Sequence, residues 1–237
     1  MKKHTIHRAD SRGHADHGWL DTHHTFSFAD YYDPARVHFG MLRVLNDDAV
    51  APGMGFGTHP HDNMEIVSIP LEGDLEHRDS MGNVAVIRKG EIQVMSAGTG
   101  ITHSEYNKND DRPVKFLQIW VFPREQYLTP RYDQIGLDEG KMRNAFQQIV
   151  SPNPDDDGAW ISQDAWFSLG NIERGKEVGY DLKNPADGVY VFVIKGSVVV
   201  DGVSLGERDG MGIEGVEKFT VAAETDAEVL LIEVPMF

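Results

Sequence analysis

Two pairs of side chains stand out by type and spacing: His59 and His61 in Thr58-His59-Pro60-His61, and His103 and Glu105 in Thr102-His103-Ser104-Glu105. Imidazole nitrogen suits zinc, copper, iron and nickel, and a carboxylate adds a harder anionic oxygen, so these four side chains could hold one divalent ion. Residues i and i+2 of a strand project to the same face. Each pair can therefore converge, and two adjacent strands would bring both pairs to one point inside a barrel. Pro60 removes a ladder donor, which places the first pair near a strand end or edge. None of the 11 histidines lies beyond His103, so the sequence predicts one chemically competent half and one inert half.

The elements that would position these residues read as antiparallel β. Short apolar runs bounded by Gly, Pro, Asn and Asp recur at 40–45, 65–71, 84–87, 92–95 and 116–122, and the later runs Val189 to Ile194 and Ser197 to Val200 close on glycine turns. A weak internal repeat relates the halves. Leu71-Glu72-Gly73 resembles Ile194-Lys195-Gly196, Arg88-Lys89-Gly90 resembles Arg208-Asp209-Gly210, and Ile119 to Pro123 is echoed by Leu231 to Pro235. In that register His59 and His61 fall near Leu182 and Asn184, so the second half lacks the site. Residues 129–138, with Pro130 and Gly136, read as a domain boundary, 139–148 as a short helix, and 151–158 as an exposed acidic loop. The expected division is 1–132 and 133–237.

Composition narrows the function classes. A chain of 237 residues supports one large or two modest domains. With no cysteine, disulfides and thiolate chemistry are excluded, which fits a reducing cytoplasm. The absence of a long apolar run implies a soluble protein not exported or inserted in a membrane. A formal charge of −16 would repel a phosphate backbone, so nucleic acid is not an expected direct partner.

Gly53-x5-His59-x-His61-x3-Glu65 resembles the first cupin motif. More narrowly, His59-Pro60-His61, Leu71-Glu72-Gly73 and Ser96 to Glu105 resemble the pirin family, and Arg12 to Leu20, His24 to Phe28, Tyr31 to Pro34 and Thr129 to Tyr132 resemble its bacterial, quercetin 2,3-dioxygenase-like branch. The resemblance implies an all-β fold of two cupin-type jelly-roll barrels in tandem. It implies one divalent transition metal in the first barrel, iron placed first with copper, nickel, manganese, cobalt or zinc as alternatives, on residues equivalent to His59, His61, His103 and Glu105. Many cupins take their carboxylate ligand from the first motif, here Glu65, whereas pirins take the later one, here Glu105. Glu105 is therefore read as ligand and catalytic base, and Glu65 as a carboxylate behind the imidazoles that orients them.

The implied activity is cleavage of a quercetin-like flavonol with dioxygen and release of carbon monoxide. The alternative is a metal-containing redox regulator that binds a partner protein. Met41, Phe56, Met64, Met95 and Phe116 are candidates for a mostly apolar wall. His14, His17, His23, His24, His38 and His77 are read as structural, and Trp19, Phe26, Phe28 and Tyr31 as packing residues, one of which could line the mouth.

Overall fold

The computed structural model describes residues 2–237; Met1, the first residue of the expected N-terminal domain, lies outside them. The first part of the chain forms β1 (Lys3–His7), β2 (Gly13–Asp16), β3 (Leu20–His24), β4 (Leu42–Val50), β5 (Gly55–His61), β6 (Glu65–Glu72), β7 (Asp74–Asp79), β8 (Val84–Arg88), β9 (Glu91–Ser96), β10 (Ile101–Asn107), β11 (Val114–Val121) and β12 (Arg131–Gly136). After the single turn α1 (Glu139–Met142) come β13 (Gln147–Ser151), β14 (Ala159–Trp160), β15 (Trp166–Ile172), β16 (Glu177–Asp181), β17 (Gly188–Lys195), β18 (Val198–Val200), β19 (Val203–Leu205), β20 (Gly210–Glu214), β21 (Lys218–Ala223) and β22 (Ala227–Val234). No helix among the described residues is long and apolar enough to cross a membrane.

Each half is a seven-stranded sheet with a four-stranded sheet. The order β9-β6-β11-β4 recurs as β20-β17-β22-β15, and β5-β10-β7-β8 recurs as β16-β21-β18-β19. The weak sequence repeat is thus a full topological repeat, two tandem cupin barrels. Gly73 and Gly196, equivalent in that repeat, both turn with positive φ (77° and 80°), a conformation that favours glycine.

Alternation along the strands shows where the cores lie. On β11, Leu117, Ile119 and Val121 join Phe167, Tyr190, Phe192 and Ile232 of the second lobe in one buried cluster, so the large sheets pack against each other. Burying each such side chain stabilises by about 1.5–3 kcal/mol, and β6 and β11, buried on both faces, read as apolar runs broken at Ser68 and Gln118 on the barrel-facing side. Inside the second barrel, Val189, Val191 and Val193 of β17 meet Phe219, Val221 and Leu231 in an apolar core.

Two expectations need correction. The sheets do not divide at residue 132: β12 runs past it to complete the first large sheet beside β9, while β1 leaves the N-terminus to pair with β20 of the second. Each barrel thereby gains its flanking strand from outside its own contiguous repeat. The expected helix at 139–148 is one turn only. Asp138 caps it by accepting from the Gly140 amide, Asn144 then adopts positive φ (51°), and Gln147–Ser151 joins the sheet against β15.

Candidate metal centre

His59 and His61 lie on β5 and His103 on β10, which pairs antiparallel with β5 and sets His103 directly opposite His59. Gly55 allows the close approach, since a β-carbon there would sit 2.3 Å from the Glu105 carbonyl oxygen. The three rings pack with centroids 4.5–4.9 Å apart and offer nitrogens within 4.8 Å of one another. The edge of Trp120 closes one side of His61.

A register shift between His103 and Glu105 sets Glu105 against Phe56 on β5 and directly opposite His77 on β7. The extra residue lies on β5 between Phe56 and His59, and it sets how the histidine pair of β5 aligns with β10. The Glu105 carboxylate joins His77 and His103 as a neighbouring group of possible ligands, whereas His59, His61 and His103 form the other. Glu105 is fully buried and is held by the opposite sheet: Oε1 accepts from Ser68 Oγ at 3.2 Å and Gln93 Nε2 at 2.9 Å, and Oε2 from Gln118 Nε2 at 2.8 Å. These donors belong to one polar row in register across six strands: His24, Asn46, Gln118, Ser68, Gln93 and Gln134. At the corresponding register the second barrel carries Ser168, Leu231, Val191 and Met211.

Hydrogen bonds fix the tautomers of His59 and His77. Gly57 O lies 2.7 Å from His59 Nδ1 and can only accept, so Nδ1 carries the proton and Nε2 presents a lone pair. His77 Nε2 donates to Asp79 Oδ2 at 3.1 Å, leaving its Nδ1 an acceptor 3.5 Å from His103 Nδ1. His103 Nε2 faces His59 Nε2 at 3.1 Å, where a proton on His103 Nε2 bridges the two rings and a cation would take that proton's place. Donor atoms around one ion with bonds near 2.1 Å stand about 3.0–3.4 Å apart, so the donor set fits a divalent transition metal.

Electrostatics keep the imidazoles ready. Burial, then the neighbouring His59, pushes His61 down to about 4, and burial with three neighbouring imidazoles holds His103 far below the ordinary value. Burial pushes Glu105 up to about 7, against the three hydrogen bonds that favour its charged form.

Beside His59 and His61 opens a cavity of about 300 Å³. Leu20, Phe28, Phe56 and Trp120 supply apolar wall, but Thr22, His24, Asn46, Asp48 and Gln118 make the rest polar. Of the wall expected from sequence only Phe56 reaches this cavity. Met41 packs on the interlobe core, Met64 and Met95 surround Ile66 and Ala97, and Phe116 packs with Leu20 and Leu75. Phe28 is the aromatic at the mouth, set edge-on to Trp120.

Glu65 also departs from expectation. Its Oε2 accepts from Ser96 Oγ at 2.8 Å and from the Ser162 amide at 3.0 Å, so it fastens the first lobe to the second instead of orienting an imidazole. His77 takes the orienting role and was missed, because its signal is the cross-strand placement of Asp79 opposite His103, which needs the register.

Two tandem cupin barrels, the first with an inward three-histidine cluster suited to a divalent metal, define a bicupin. The chain belongs to the pirin family: the Pirin description matches residues 5–121, and that of the quercetinase C-terminal cupin domain matches 148–234. Among its relatives, the quercetin 2,3-dioxygenase of Escherichia coli K12 is 43% identical, with 97% of this chain and 98% of the relative covered. A pirin-like protein of Caulobacter vibrioides is 39% identical over 94% and 96%. The crystal structure of the E. coli bacterial pirin YhhW in complex with nickel(II) superposes with a TM-score of 0.93 at 40% identity, covering 99% of this chain and 100% of that one.

Proposed function

We propose that this pirin is a metal-dependent dioxygenase that cleaves a quercetin-like flavonol with dioxygen and releases carbon monoxide. The observation that carries the reading is the cluster of His59, His61 and His103, with His59 and His103 Nε2 3.1 Å apart, beside a cavity large enough for a small aromatic ligand. The name of the E. coli relative, quercetin 2,3-dioxygenase, supports the substrate class. His59, His61 and His103 would hold the ion, with Glu105 as fourth donor through Oε2, which accepts one hydrogen bond and keeps a lone pair. A bound divalent ion supplies Lewis-acid polarisation of a substrate oxygen and access to dioxygen chemistry.

The chain's own residues do the rest. Phe28, Phe56 and Trp120 offer apolar and aromatic surface to a planar ligand and exclude water. Asn46 and Gln118 present hydrogen-bonding groups to its hydroxyls. The His77–Asp79 pair keeps the His103 ring oriented.

The test is anaerobic loading with iron or nickel, then admission of oxygen with quercetin, following quercetin loss and carbon monoxide together. Stoichiometric coupling of the two supports the reading. Metal-replete protein without turnover, yet capturing a protein partner in one oxidation state only, would establish the regulator instead.

A further inference from the structure

We infer that Asp48 accepts the proton of a substrate hydroxyl in the cavity beside His59 and His61, so that Glu105 does not serve as the base. The inference deepens the proposed reading by naming the proton's destination and the hydroxyl class, one borne on an sp² carbon.

Asp48 sits on β4, facing the barrel interior two residues from Asn46, with 3% of its surface exposed. Thr22 on β3 lies directly opposite and donates its hydroxyl to Oδ1. Oδ2 has no hydrogen-bond partner in the protein and opens onto the cavity. Elsewhere on this wall His24 Nδ1 bonds Asn46 Oδ1 at 2.9 Å and Gln118 Nε2 donates to Glu105, which leaves the other amide atoms of Asn46 and Gln118 for substrate hydroxyls. Glu105 lies behind that wall with both oxygens hydrogen-bonded by three donors. The uncommitted carboxylate oxygen at the cavity is therefore that of Asp48.

No cation among the described residues is paired with it. The acidic groups around it are Asp47 and Asp21 on the neighbouring strand positions and Glu105 across the barrel; Asp47 is itself engaged by Arg12 and Arg208. Burial first, then this like charge, pushes Asp48 up to about 7, with the Thr22 hydrogen bond opposing. A base poised near neutral pH suits proton transfer from a phenolic or enolic hydroxyl. In the step, the substrate O–H bond breaks, the proton passes to Oδ2, the electron pair stays on the substrate oxygen, and Asp48 becomes a neutral acid. Its ionised product is the form best attracted to a cation held by the adjacent histidines.

Two chromogenic probes test this without turnover: quercetin and the smaller 4-nitrocatechol, each titrated anaerobically against metal-free and nickel-loaded protein. The readout is the absorption band that marks ionisation of the bound hydroxyl, followed across pH. Wild type should ionise the bound probes at lower pH than Asp48→Asn, whose midpoint should move up by a pH unit or more in both metal states. Affinity should change less than about threefold, and Asp48→Glu should restore part of the shift. An unmoved midpoint in Asp48→Asn, no bound probe, or an equal shift from Glu105→Gln in the metal-free protein would overturn the assignment. Circular dichroism verifies that the near-isosteric Asn variant is folded. A lasting Asp48 effect on nitrocatechol with no carbon monoxide from quercetin would sink the dioxygenase reading and leave Asp48 standing; turnover with unmoved midpoints would do the reverse.

Discussion

His59 and His103 face each other across the β5–β10 pair with their Nε2 atoms 3.1 Å apart, and the Gly57 carbonyl fixes the His59 proton on the far side of its ring. A proton on His103 Nε2 bridges the two rings, and a shared cation would replace it, so the contact marks where the ion would lie.

Replacing His59, His61 or His103 by Ala should lower affinity for nickel or iron by about 100-fold or more while leaving the barrel folded. The apolar interlobe core is far from these rings and does not depend on the ion. Metal analysis beside thermal melts of the metal-free proteins checks both halves of the statement.

His77→Phe should weaken the ion by about 10–100-fold, the usual cost of losing a group that orients a ligand. Asp79→Asn should act in the same direction by disturbing the His77 tautomer. Isothermal titration with nickel distinguishes this from a packing effect, because His77→Phe preserves ring stacking on Tyr132.

How much of this was legible follows from the same residues. The strands, the glycine turns and the His59/His61 and His103/Glu105 spacings are local, and local pattern found them. The polar row from His24 to Gln134 joins six strands and exists only once their register is known. Glu65 was misassigned because its partner, the Ser162 amide, is 97 residues away. The exchange of β1 onto the second barrel left no mark, since Lys3–His7 has no apolar alternation: its one aliphatic residue, Ile6, is exposed and its buried residue is His7. The extra β5 residue between Phe56 and His59 is likewise a matter of pairing, and it decides how His59 and His61 align with β10.

The His61 contribution to the stability of the metal-free protein should be lost on acidification between about pH 6.5 and 4. The His61 pKa is lowered on folding, so the unfolded chain takes up its proton first and stability falls as pH drops through that window. His61→Asn should flatten this part of the curve in urea titrations. A bound ion should leave only below about pH 5, well under the ordinary histidine range.

Asp48 has the opposite sign. Its pKa rises from 3.8 to about 7 on folding, so stability is lost as pH rises through that interval and levels off above it. Asp48→Asn should melt close to wild type at pH 4, and higher than wild type by a margin that grows to pH 7 and then stays constant. Melting curves at four pH values decide it; a margin independent of pH contradicts the burial argument.

Tyr190→Phe should cost about 1–3 kcal/mol, because it strips His7 Nδ1 of its buried 2.8 Å partner where β1 meets the second barrel. Urea denaturation measures the loss, and it should leave nickel affinity unchanged.

The central claim is best tested by X-ray absorption at the nickel edge of the loaded protein, beside a variant carrying Ala at 59, 61 and 103. The account predicts three imidazole nitrogens and oxygen donors at about 2.0–2.2 Å in the wild type, and no tightly held nickel in the variant. A wild-type spectrum without multiple imidazole scattering, or the same spectrum from the variant, would contradict it.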